Sequence, residues 1–249
     1  MSKINFEDIE TIDVDCVIGL GWGCRIAASL KRNRKHNLSN PFNWLGKYNL
    51  NDVINLLSTC GANFFIDYRF SPKDNRNDKL AIIDNNNGFI AAHDFQKKVP
   101  IKINEFLFRY KYKRKFKLIK EYLQNSNNIC IITQRKINTD DILSFIEKFS
   151  NIFSYRHLYY INVYDTKEKE QLIKVEKNNV TIFQCYFNDE HENGRDEKTN
   201  IYAWLGNVEY WDNIVDRISI NKKLLDKYNK KHENLIVRTL KYINKILNS

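Results

Sequence analysis

Ile129-Cys130-Ile131-Ile132-Thr133, then residues 140–149 (DDILSFIEKF), then Leu158-Tyr159-Tyr160-Ile161-Asn162-Val163 form the run that decides the fold. The outer pieces are short apolar stretches rich in isoleucine, valine and tyrosine, the pattern of strands buried on both faces. The middle piece has helical apolar spacing and follows Asn138 or Thr139, either of which can cap a helix. Strand, helix and strand in this order imply a right-handed crossover between parallel neighbours. The expected class is therefore α/β, with a mostly parallel central sheet flanked by helices.

Working outward, residues 14–19 read as an apolar strand, and residues 25–32 as a helix with Ile26, Ala27 and Leu30 on one side. A second helix over 51–59, capped by Asn49 or Asn51, a strand over 62–67 and a loop over 71–78 follow. Residues 80–83 and 89–93 flank Asp84-Asn85-Asn86-Asn87-Gly88, whose members tolerate positive φ, so they predict a hairpin. A long helix is expected over 101–124. Beyond the central run, 171–175 and 180–187 predict a second hairpin that extends the sheet. A charged loop over 189–200 and helices over 204–218 and 220–247 complete the chain. The expected organisation is an α/β core over 1–165 carrying the candidate site, with a hairpin and helical extension over 166–249 packed on it as one compact unit.

At 249 residues, 43% hydrophobic and 13% aromatic, the chain has the material for a sizeable core. Its formal charge of +10 points to anionic partners: a phosphorylated substrate, a membrane surface met peripherally, or nucleic acid. The densest basic run, Lys111, Lys113, Arg114, Lys115, Lys117 and Lys120, is interleaved with Tyr110, Tyr112 and Phe116. On a helix these cations spread around the circumference and make a diffuse field, not a fork for base edges. Five cysteines without CxxC spacing argue against a zinc ribbon or a disulfide framework, so no metal and no cofactor is expected and the compartment is reducing. No segment of signal-peptide type opens the sequence, and no apolar run approaches the ~18 residues that span a bilayer. A cytoplasmic location without a transmembrane segment is the expectation.

Gly19-Leu20-Gly21-Trp22-Gly23-Cys24-Arg25 places a thiol where a strand hands over to a helix. Unpaired N–H groups and the positive end of the helix dipole favour negative charge there, which lowers a thiol pKa and suits a nucleophile. The plain alternative is a small buried residue packing the helix start. Gly21, Trp22, Gly23 and Arg25 are the candidate oxyanion or phosphate donors. Among the five histidines, His93 stands out as the candidate base, because it ends the apolar run Phe89-Ile90-Ala91-Ala92. A third group to orient its ring is left open among Gln134, Asp67 and Asp84. Asp94 adjoins His93 but belongs to the opposite face of an extended strand.

The order of three motifs resembles the domain of unknown function 1796 family, whose members are classed as papain-like cysteine peptidases. The matching positions are Gly19-Leu20-Gly21 with Cys24, Pro41-Phe42-Asn43-Trp44, and His93-Asp94-Phe95, followed by Ile131-Ile132-Thr133-Gln134-Arg135 as the apolar strand ending in arginine. Asn43 stands where the family usually carries aspartate. The resemblance covers about residues 14–163 and implies Cys24 as nucleophile and His93 as base of a hydrolase or acyl-transfer enzyme, with Asn43, Trp44 and Asp94 near the substrate. Two other functions fit the same sequence. One is a transferase that binds a phosphorylated sugar or nucleotide-sugar at the helix start, with Arg25, Arg69 and Arg135 as anion clamps. The other is a basic module without catalysis that docks on anionic membrane or nucleic acid.

Overall fold

The computed structural model describes residues 9–21, 24–35, 40–43, 45–46, 48–72, 78–168, 170–194 and 204–221, with 223, 224, 226, 227 and 230. Trp22, Gly23 and Trp44, and most of the helix expected over 220–247, lie outside the described residues.

The deciding run folds as expected. β7 (Asn128–Gln134), α4 (Thr139–Ser150) and β8 (His157–Asp165) form a β-α-β unit with the two strands parallel. Asn138 caps α4 in a reciprocal capping box with Asp141. β2 (Cys16–Gly19) joins β7 in parallel on one side, and β10 (Val180–Phe187) joins β8 in parallel on the other. β9 (Gln171–Lys177) pairs antiparallel to β10 at the edge, so the five-stranded order is β2-β7-β8-β10-β9.

Alternate residues of these strands enter two separate apolar clusters. Ile129, Ile131, Leu158, Tyr160, Val180 and Ile182 belong to the first, with side chains from α2 (Leu50–Ser58), α3 (Ile101–Gln124) and α4. Cys130, Ile132, Ile161, Val163, Phe183, Cys185 and Phe187 belong to the second, with Ile26 and Leu30 of α1 (Arg25–Arg32) and Trp211, Ile214 and Val215 of α5 (Val208–Asp216). A period of two with both sets buried explains why these strands read as continuous apolar runs.

The first face changes character at the carboxyl ends of the strands. Thr133, Asn162 and Gln184 are neighbours in register and fully buried. Thr133 Oγ1 donates to Asn162 Oδ1 at 2.7 Å, and Asn162 Nδ2 donates to Gln184 Oε1 at 2.7 Å and to the Arg135 carbonyl at 3.0 Å. Gln184 Nε2 donates to the Ile137 carbonyl at 3.2 Å. Every polar atom of a buried network needs a partner, and here the partners include the backbone of the β7–α4 loop, which the network fixes in place.

Three expectations are corrected. Residues 14–19 are not one strand: β1 (Ile12–Val14) pairs with β11 (Ile218–Ile220), and β2 enters the main sheet. The break is Asp15, whose Oδ2 accepts the N–H groups of Asn127 and Asn128 at 2.9 and 3.0 Å, while its Oδ1 accepts from Asn221 Nδ2 at 3.0 Å. Residues 62–67 form turns, because Cys60, Gly61 and Phe65 adopt left-handed φ values of 51°, 71° and 51°. Ile220 ends a strand where a second C-terminal helix was expected to start. The hairpin expected over 80–83 and 89–93 forms, but it belongs to a separate antiparallel sheet, in the order β3-β6-β5-β4, whose other two strands were not anticipated. This sheet contains β3 (Leu45–Gly46), β4 (Tyr68–Phe70), β5 (Lys79–Asp84) and β6 (Ile90–Gln96) and is inserted in sequence around α2 and before α3. Among the described residues, no helix is long and apolar enough to cross a membrane.

Candidate active site

β2 delivers the chain to the carboxyl edge of the parallel sheet, where the Leu20 N–H still bonds the Ile132 carbonyl at 2.8 Å. Gly19 is required by close approach: a Cβ there would lie 2.8 Å from Ile26 Cγ2, so α1 could not pack against the strand as it does. Gly21 is buried. Cys24 is the N-cap residue of α1, with φ −77° and ψ −8°, and its side chain makes no capping bond to the helix. No acidic residue occupies the first turn, so α1 does not neutralise the positive end of its own dipole.

His93 lies in β6 at a break in the ladder. Ile82 pairs with Ala91, but the next pair is Leu80 with Phe95, so Ala81 alone stands opposite Ala92, His93 and Asp94. Bulges of this kind leave ladder groups unpaired and re-aim side chains, and they concentrate next to functional sites. On its other side β6 pairs with β3, Leu45 facing Ala91. The segment leading into β3 is tied to the Cys24 turn: Asn40 Nδ2 donates to the Gly19 carbonyl at 3.4 Å, and Asn43 is 5% exposed beside Gly19. The Asn40-Pro41-Phe42-Asn43 stretch therefore runs from the end of β2 toward β3, the neighbour of the strand that carries His93.

Thiol environments divide the five cysteines, none of which forms a disulfide. Burial pushes the thiols of Cys16, Cys130 and Cys185 well above the ordinary range, which makes them inert. Cys24 and Cys60 are partly exposed.

The proposed partners do not all gather at Cys24. Asp94 turns to α3, where its carboxylate accepts from Lys111 Nζ and, at 3.0 Å, from Tyr112 Oη. Asp84 is fully buried and accepts the Phe65 and Asn86 N–H groups at 2.8 and 2.9 Å, and Asp67 accepts from Asn85 Nδ2 at 3.1 Å. Both acids are thus used to brace the turn that precedes β4 and the β5–β6 turn. Arg69, on β4 at the sheet edge, bonds Asn85 Oδ1. Arg135 donates to the Tyr48 carbonyl at 2.7 Å, with its guanidinium carbon 4.8 Å from the centre of the Tyr48 ring. Arg25, Arg69 and Arg135 therefore do not form the convergent clamp that three arginines at the helix start would make.

Asp189, just past the end of β10, is the group that sequence reasoning missed. Its side chain is fully buried and forms a salt bridge with Arg25 Nη1. Gln134 Nε2 donates to the same oxygen, Oδ2, while Oδ1 accepts from the Asn207 N–H at 3.1 Å and from Trp211 Nε1 at 2.9 Å. Burial pushes this carboxyl up from its ordinary value, and Arg25, the Asn207 N–H and Trp211 pull against that shift. The hub holds the first residue of α1, the end of β7 and the cap of α5 together, and so fixes where Cys24 begins its helix. The available signal was position: a carboxylate following the apolar strand 180–187 lies at the carboxyl edge of a parallel sheet, where functional groups collect.

No family model matches the chain, and neither the curated proteins nor the solved structures contain a match. Among the described residues no cluster of histidine, cysteine and carboxylate groups could hold a metal ion.

Behind Asp94, Lys115 of α3 is 7% exposed, its ammonium 5.2 Å from the centre of the Tyr112 ring. Burial, reinforced by Lys111 and opposed by Asp94, lowers its pKa from 10.5 to about 8. The unfolded chain then binds more protons between about pH 8 and 10.5, so this group makes stability rise with pH across that window. Lys115→Met, which keeps the volume and removes the buried charge, is expected to stabilise the protein at pH 7 by about 1–3 kcal/mol and to remove that alkaline rise. Urea unfolding at pH 7 and 9.5 checks both. A variant less stable than the parent at pH 7 contradicts the assignment.

Proposed function

We propose that the protein is a cysteine-dependent hydrolase or acyl-transfer enzyme in which Cys24 attacks a carbonyl and His93 accepts the thiol proton and returns it to the leaving group. The observation that carries this reading is the ladder break at His93, joined through Leu45 and Asn40 to the turn that presents Cys24. The start of α1 suits the chemistry twice. Its dipole favours a thiolate over a thiol, and its first N–H groups are donors for the oxyanion that forms when the sulfur adds to a carbonyl carbon. Asp189 acts at one remove, by holding Arg25 and with it the first turn of the helix. The compartment expected from cysteine usage is reducing, which keeps such a thiol active.

The test is trapping with 4-nitrophenyl acetate. Cys24 attack on the ester carbonyl expels nitrophenolate and leaves an acetyl thioester, which water then hydrolyses. Peptide mapping after brief exposure is expected to find the acetyl group on Cys24 and not on Cys60. Equal labelling of both, or of neither, contradicts the proposal.

A second reading, an anion-binding transferase, is supported by Arg135. Its Nε and Nη2 are buried without a hydrogen-bond partner among the described residues. The residue lines a cavity of about 450 Å³ with Gln134, Lys136, Ile137, Val163 and Asp165 at the carboxyl ends of β7 and β8. That is where open α/β sheets bind ligands, and an arginine beside a lysine favours a phosphate or carboxylate. Under this reading Cys24→Ala leaves activity intact.

A further inference from the structure

We infer that the outer face of α3, together with the edge strand β4, is a docking surface for an anionic membrane. Among the described residues six large apolar side chains are substantially exposed, and five of them belong to this region: Ile66, Phe70, Ile101, Ile103 and Phe106, each between 41% and 52% exposed. They gather at one end of the molecule, because residues 66–70 run beside the first turns of α3, where Ile103 and Phe106 lie on the outer side of the helix. Arg109 Nη2 donates to the Ile66 carbonyl at 3.2 Å, and Tyr68 Oη donates to Glu105 at 2.6 Å.

The patch continues along the helix as a cationic band. Ile103, Phe106, Tyr110, Lys113 and Lys117 recur at steps of three and four and so share one side of α3, opposite the buried stripe of Phe108, Tyr112, Lys115 and Ile119. The Phe106 and Tyr110 rings stack at 6.2 Å, and the Arg114 guanidinium lies 5.2 Å from the Tyr110 ring centre, so the aromatic part of the face is ordered before anything binds. Lys102, Lys113 and Lys117 are exposed and have no ion-pair partner among the described residues. Of the two acids in α3, Glu105 is held by Tyr68 and Glu121 lies near the far end.

Exposed isoleucine and phenylalanine at one end and unpaired lysines beside them fit a surface that offers both hydrocarbon and negative charge. Anionic lipid headgroups over acyl chains provide that pair. A nucleic-acid backbone would use the lysines and leave the five apolar side chains in water. The chain would then lie on the membrane without spanning it. This surface is independent of the chemistry proposed for Cys24.

The test is flotation of the full chain with vesicles of phosphatidylcholine alone and of phosphatidylcholine mixed with phosphatidylserine, at low and high salt. Binding is expected only to the mixed vesicles, and to weaken with salt. Phe106→Ser is expected to weaken it about tenfold through lost apolar burial. Lys113→Gln with Lys117→Gln is expected to weaken it about twenty-five-fold, at about fivefold per cation. All three positions are exposed, so thermal unfolding of the variants should match the parent. Absence of vesicle binding, or binding indifferent to Phe106→Ser, overturns the inference. So does tighter binding to duplex DNA that only the lysine changes weaken, which would assign the face to nucleic acid. A dimer lost in Phe106→Ser would assign it to a second copy of the chain. Slow thiol labelling of Phe106→Cys in lipid-free protein would show that the chain covers this face itself.

Discussion

Asp189→Ala is expected to destabilise the protein by about 3–5 kcal/mol, the range for breaking a buried ion pair by removing one partner. The carboxylate is fully buried and takes donors from four places: Arg25, Gln134, the Asn207 N–H and Trp211 Nε1. Without it, the indole and amide donors are left unpaired in a dry site, and the Arg25 charge, itself largely buried, loses its counter-ion. Asp189→Asn keeps the shape and part of the bonding, so a smaller loss is expected than for alanine. An independent probe is Gly206→Ala. Gly206 has φ +66°, and a Cβ there would lie 2.4 Å from Asp189 Oδ1 and 2.7 Å from Arg25 Nε, so the substitution strains the backbone and pushes into the hub. Urea unfolding at pH 7 measures all three. An Asp189→Ala variant within 1 kcal/mol of the parent would mean that the hub is not a structural element (about the error of such a comparison).

His93→Ala is expected to slow acetylation of Cys24 by 4-nitrophenyl acetate about 10²–10⁴-fold at pH 7, the usual contribution of a positioned general base. The ladder break makes this prediction specific to His93. In a regular antiparallel pair Ala81 would face one residue, whereas here it faces three, and His93 is the middle one. Removing the imidazole should leave the fold in place, because the flanking pairs Ile82 with Ala91 and Leu80 with Phe95 do not use it. Unchanged thermal unfolding alongside the lost rate is therefore part of the expected result. A rate within threefold of the parent would assign the acylation to some other base, threefold being about 0.6 kcal/mol of barrier.

Much of the frame was legible because burial on both faces of a strand leaves a plain mark. Residues 129–133 and 158–163 are apolar at every second position on both sides until Thr133 and Asn162, and those two form the buried polar row. The helix over 101–124 was legible from its uninterrupted pattern, and capping chemistry narrowed two helix starts to Asn49 or Asn51 and Asn138 or Thr139, of which Asn49 and Asn138 are the caps. What failed was local. The split at Asp15 depends on backbone donors from residues 127 and 128, which no window around residue 15 contains. The turn over 62–67 depends on left-handed Cys60 and Phe65, residue types that carry no turn signal, on either side of Gly61, whose lone glycine does not by itself break a strand pattern.

The candidate site was legible in part for the same reason. Cys24 and His93 carried local signals, a glycine-rich helix start and a histidine closing an apolar strand. Asp189 carried only its position after an apolar strand, and its role stays hidden because its four donors come from residues 25, 134, 207 and 211. Arg69 shows the converse: an arginine chosen for its charge is used at a sheet edge to bond Asn85. Long-range pairing decides such roles, and pairing of this kind leaves no periodic mark.

The central claim is that Cys24 is an activated nucleophile paired with His93. The most direct measurement is the rate of iodoacetamide alkylation at Cys24 as a function of pH, with Cys60 in the same chain as the internal reference. The account predicts that Cys24 reacts with an apparent pKa below the ordinary thiol value of about 8.5, that it is alkylated faster than Cys60 at pH 7, and that His93→Ala moves Cys24 back toward that value. A Cys24 profile that matches Cys60 and is unchanged by His93→Ala would contradict it.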